Sequence, residues 1–120
     1  MSALAVVFIA LVALLHAWFL VLEMFLWTKP IGLKTFGQTL AKAQESAVLA
    51  ANQGLYNGFL VAGLVWSLVA PPELAFSLRV FFLTCVVVAG AYGAYSVSKR
   101  ILFVQAVPAA IALALVVGSR

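Results

Sequence analysis

Charge is scarce in this sequence. Only 8% of its 120 residues are Asp, Glu, Lys or Arg, where ordinary soluble domains carry about a quarter. With 67% hydrophobic residues, a chain this short could not hide its apolar surface in one core. That excludes an ordinary soluble domain and makes lipid the natural solvent. Cysteine is nearly absent: Cys85 stands alone inside an apolar run, which leaves no disulfide framework and no cysteine metal cluster. No phosphate loop, zinc signature or nucleophile triad occurs, so no metal site is expected. No Lys or Arg precedes the first apolar stretch and no small-residue cleavage site follows it, so it reads as a retained helix rather than a secretory signal.

What the chain does have is long apolar runs. They cover about 3–27, 46–70, 74–98 and 101–118, each close to the ~20 residues a helix needs to cross ~30 Å of hydrocarbon. The expected fold is all-α: a four-helix transmembrane bundle forming a single integral membrane domain over residues 1–120. Pro30, Gly32 and Gly37 punctuate the first connection, and the stretch from Gln38 to Ser46 winds into the second helix. Pro71 and Pro72 stop the second helix in a tight turn.

The basic residues give an orientation. Lys29, Lys34 and Lys42 lie between the first two runs, and Lys99 and Arg100 between the last two, while Arg79 and Arg120 are left for the other side. Cytoplasmic loops collect Lys and Arg, so both termini are expected on the extracytoplasmic side. The net charge of +4 is then a mark of orientation beside an anionic leaflet, and no nucleic acid is needed to explain it. Trp27 and Trp66 fall at opposite membrane edges, where aromatic belts form.

Depth follows from a rise of about 1.5 Å per residue. Glu23 lies roughly 6 Å inside the inner edge, His16 near the midplane, and Asn52 and Gln53 about 8–10 Å deep, with Asn57 deeper. Tyr92, Tyr95, Ser96 and Gln105 also fall in the inner part, so the polar groups converge on the cytoplasmic half. At 100° per residue, His16, Glu23 and Trp27 share one stripe. Glu45, Asn52 and Tyr56 share another, with Gln53 and Asn57 beside it. Gly54 and Gly58 lie on the opposite face, at the spacing that lets two helix backbones approach closely.

Polar side chains in lipid face a bundle interior, a partner or a ligand. For Glu23 the candidate partners are Lys99, Arg100 and His16. The plain alternative for the amides is hydrogen bonding between helices, at about 0.6–2 kcal/mol each. Pro108 removes a backbone donor and frees the carbonyl of Val104, so a kink is expected there.

The segments "LEMFLWTKPIGLKTFG", "AANQGLYNGFL" and "VAGAYGAYSVSKRILFVQAVPAAIAL" resemble a bacterial family of small four-helix membrane proteins known only as a domain of unknown function. More remotely, the helical plan, the polar half of the second helix and the Arg100, Gln105, Pro108 series are similar to the membrane-associated eicosanoid and glutathione metabolism proteins. That likeness implies a homotrimer with a glutathione site between subunits, with Asn52 or Gln53 matching the Asn of that family's second helix. The Glu three residues further on has no counterpart, since Leu55 or Tyr56 stands there, and the family's His is missing as well.

The expectation is therefore a multi-pass protein of the bacterial inner membrane that binds or transforms a small amphipathic or lipophilic molecule. Glu23 is the candidate catalytic residue, as a proton handler, and Asn52, Gln53, Tyr56, Asn57, Tyr92, Arg100 and Gln105 are candidate ligand contacts, Arg100 anchoring an anion. The alternatives are a small transporter and a structural membrane protein whose polar residues only join helices. The apolar outer half weighs against a transport path.

Overall fold

A computed structural model describes residues 2–96 and 99–119. Among these the chain is helical, in the order α1 (Ala3–Met24), α2 (Pro30–Phe36), α3 (Leu40–Val69), α4 (Pro72–Ser96), a single turn α5 (Lys99–Ile101), a π-helical stretch (Leu102–Ala106) and α6 (Val107–Gly118). Helices α1, α3 and α4 are long and apolar enough to cross a membrane, and the apolar helical stretch Phe103–Gly118 is shorter. Arg120 and the end of the expected third span, residues 97 and 98, lie outside the described residues.

Local chemistry sets the helix ends. Ser2 caps α1, its hydroxyl accepting from the Ala5 backbone at 3.2 Å, and the Thr39 hydroxyl accepts from the Lys42 backbone at 3.3 Å to open α3. Because of that cap α3 begins at Leu40, six residues before the apolar run it was read from. Pro72 opens α4, where a missing N–H costs nothing. The first helix stops at Met24, short of Trp27.

The Lys29–Thr39 connection is more ordered than its punctuation suggests. Pro30 sits in the first turn of α2, and Gly37 closes that helix in the left-handed conformation, φ 63°, returning its N–H to the Leu33 carbonyl. Gly32 is buried against the chain just after α1, where an added Cβ would lie 2.0 Å from the Leu26 carbonyl oxygen. The glycines and proline thus bound and seat a short helix instead of breaking a loop.

The chain divides into two compact units, His16–Val61 and Met1–Leu15 with Ala62–Arg120. In the first, Trp27 ties the connection together: its indole N–H donates to Ser46 Oγ at 3.1 Å, and its ring lies 4.8 Å from that of Phe36, tilted 48°. In the second, α4 packs along the π-helical stretch and α6. Gly90 lies close against the π-helical stretch. A Cβ there would meet Ala106 Cβ at 2.7 Å and the Ala106 backbone nitrogen at 2.9 Å. The π stretch ends two residues before Pro108, the ring that cannot donate to the preceding turn. The kink expected at Pro108 corresponds to a change of helix type rather than a break.

Candidate functional site

In the unit His16–Val61, the approach of α1 to α3 is set by two glycines. A Cβ on Gly54 would lie 2.6 Å from Met24 Cγ and 3.2 Å from Glu23 Cβ, and one on Gly58 would lie 2.9 Å from Leu20 Cδ1. Asn57 stands three residues after Gly54 and one before Gly58, on the same side of α3. With no side chain at the glycines, Asn57 reaches α1, and its Nδ2 donates to Glu23 Oε1 at 2.5 Å. Both residues are half-buried.

Asn52, Gln53 and Tyr56 lie elsewhere on α3 and are exposed on the chain. Tyr56 is 58% exposed and sets its ring edge-on to Phe59 at 5.8 Å. His16 is fully buried, its ring edge-to-face with Phe19 at 5.3 Å. Of the candidates in this unit, the fold therefore brings Glu23 and Asn57 together. Asn52, Gln53 and Tyr56 form an outward polar face.

The remaining candidates belong to the other unit. Tyr92 projects from α4, 68% exposed, and its backbone carbonyl accepts from the Ser96 hydroxyl at 2.7 Å. Arg100 is exposed in the single turn α5, and Gln105 is half-buried in the π-helical stretch. Among the described residues, no three His, Cys, Asp or Glu side chains gather in a metal-holding group.

Sequence reasoning weighed His16, Lys99 and Arg100 as partners of Glu23 and did not consider Asn57. The signal was present in Gly54, Asn57 and Gly58, a small-polar-small triplet on one helical face. It was obscured because Asn57 was grouped with the nearby Asn52 stripe, where the glycines' own face is the closer match.

The comparisons add a family and no activity. Neither the curated proteins nor the solved structures contained a match to this chain. A family profile described as "Protein of unknown function (DUF1304)" matches residues 10–117. With nearly the whole length matched, the chain belongs to the DUF1304 family of proteins of unknown function.

Proposed function

We propose that the chain is a multi-pass integral protein of the bacterial inner membrane, working as a homo-oligomer, with a trimer favoured by its remote resemblance. Its α3 face binds a small amphipathic or lipophilic molecule in the cytoplasmic half of the bilayer. One observation carries this reading: Asn52, Gln53 and Tyr56 are exposed on a helix long and apolar enough to cross a membrane. Amide and phenol groups facing hydrocarbon are costly, so this face calls for a cover that can hydrogen-bond. A second copy of the chain, or a ligand held between copies, supplies that.

In this reading the amides orient the ligand and Glu23 handles a proton at the edge of the site. Arg100, exposed near the start of the last helical segment, is the candidate anion anchor. The basic residues Lys29, Lys34 and Lys42, all exposed, support a cytoplasmic placement of the first connection.

The Glu23–Asn57 hydrogen bond within one chain favours a second, structural reading for that pair, as a link between helices. Native mass spectrometry of the full chain released from mild detergent tests the main reading. A trimer carrying a stoichiometric non-lipid mass supports it. A bare monomer or dimer removes the intersubunit site and leaves the polar residues as helix contacts.

A further inference from the structure

The unit containing α4 and α6 carries a second feature, separate from the α3 face. Near the start of α4 and the end of α6 lies a cleft of about 380 Å³ whose lining includes Glu73, Arg79, Val116 and Ser119. The Arg79 Nε is buried, with no hydrogen-bond partner among the described residues. Phe76 and Ser77 line this cleft and also the upper end of an apolar groove of about 900 Å³ along α4. The groove continues past Phe81, Thr84 and Val88 to Tyr92.

The spacing explains the continuity. Glu73, Ser77, Val80, Thr84 and Val88 follow each other at three- and four-residue intervals on one face of α4, so the acidic residue stands at the head of the apolar stripe. From Phe76 to Tyr92 is sixteen residues, about 24 Å of helix. That exceeds the half-thickness of about 15 Å that one leaflet's acyl chains occupy. Glu73 and Arg79 are six residues apart, about 9 Å along the axis, and both line the cleft.

We infer that this cleft and groove form a binding site for a zwitterionic aminophospholipid. The Arg79 guanidinium holds the phosphate, the Glu73 carboxylate holds the ammonium, and one acyl chain lies along α4. A guanidinium is suited to phosphate because its N–H groups form a planar fork. A carboxylate beside it selects against a headgroup with no ammonium. The apolar groove distinguishes a membrane lipid from a water-soluble zwitterion, which would need only the cleft.

The test is lipid titration by native mass spectrometry on the full chain in mild detergent. The probes are synthetic phosphatidylethanolamine, phosphatidylglycerol and the soluble glycerophosphoethanolamine headgroup. The wild-type chain is expected to favour phosphatidylethanolamine over phosphatidylglycerol by about tenfold, the loss of one charge-assisted hydrogen bond. Glu73→Gln removes that preference, and Arg79→Gln weakens both lipids. Thr84→Trp, which fills the groove, weakens the lipids while leaving the soluble headgroup unchanged. Should Arg79→Gln fail to fold, the Glu73→Gln selectivity decides alone.

Equal binding of the two lipids overturns the inference. So does a soluble headgroup that binds as tightly as the lipid. A Thr84→Trp chain whose subunit count changes while its lipid binding does not would mean that a second copy covers the groove, and that result overturns it as well.

Discussion

Single atoms decide how α1 meets α3. The Asn57 amide is the donor that satisfies Glu23 Oε1. Replacing it by Leu strands a polar group inside the unit, at a cost of about 1–3 kcal/mol. Asn57→Leu is expected to lower the thermal unfolding midpoint in detergent, while Glu23→Gln, which still presents a carbonyl oxygen, stays near wild type. If Asn57→Leu unfolds at the wild-type temperature, the hydrogen bond contributes nothing to the unit. A second contrast lies in the glycines. A methyl group at Gly54 meets first the flexible Met24 side chain, whereas one at Gly90 meets the Ala106 backbone as well as its Cβ. Gly90→Ala should therefore destabilise by about 1–3 kcal/mol, the range for overpacking, and Gly54→Ala by less. Equal unfolding midpoints for the two variants would contradict this ranking.

At the scale of elements, the connection between α1 and α3 behaves as a built corner. Gly37 has nothing within 4 Å of a notional Cβ, yet its φ is 63°. Gly37→Ala is thus expected to cost about 1–2 kcal/mol through backbone conformation alone. Gly32→Ala should be worse, since its Cβ would press on the Leu26 carbonyl. Limited proteolysis checks both: Gly32→Ala should be cut fastest between Lys29 and Lys42, and a cutting rate equal to wild type would show that the corner needs no close packing. This corner is also where the sequence was least legible. A seven-residue helix containing a glycine and opening on a proline reads as a loop, because too few residues are present for an apolar period to show. The partner that fixes it, Ser46 against Trp27, lies nineteen residues away. The long helices were legible for the opposite reason, since a run of some twenty apolar residues needs no partner to be recognised. The apolar run of α3 begins near Ser46, but its first turns, Leu40 to Glu45, are polar and amphipathic, and they belong to the same helix, as the winding of Gln38 to Ser46 into it suggests.

For the whole molecule, the exposed polar face of α3 is the feature that isolated helices do not explain. If copies associate through it, the double substitution Asn52→Leu with Gln53→Leu should reduce the subunit count seen by native mass spectrometry without altering helix content by circular dichroism. A count unchanged by the substitution would place the oligomer interface elsewhere. The orientation expected from Lys29, Lys34, Lys42, Lys99 and Arg100 has its own check. In a chain with Cys85→Ser, a cysteine introduced by Lys34→Cys should react with an impermeant maleimide only after the membrane is opened; labelling of intact cells would reverse the topology. The candidate site was legible in part. Composition and depth singled out the polar residues, but the pairing of Glu23 with Asn57 spans 34 positions and depends on which face the glycines bring inward. The cleft holding Glu73 and Arg79 escaped notice because each residue reads, in one dimension, as an ordinary charge near a helix end.

The π-helical stretch at Leu102–Ala106 has an implication for chain length. A wider turn accommodates about one residue more than the α-helix around it, since its hydrogen bonds span five residues instead of four. Removing one residue elsewhere in a packed helix rotates everything beyond it by about 100° and turns the buried side outward. Removing Phe103, exposed at this spot, is instead expected to let the bulge tighten into regular α-helix, with Ala106 still facing Gly90 and helix content by circular dichroism unchanged. In these few residues, the helix holds a spare position.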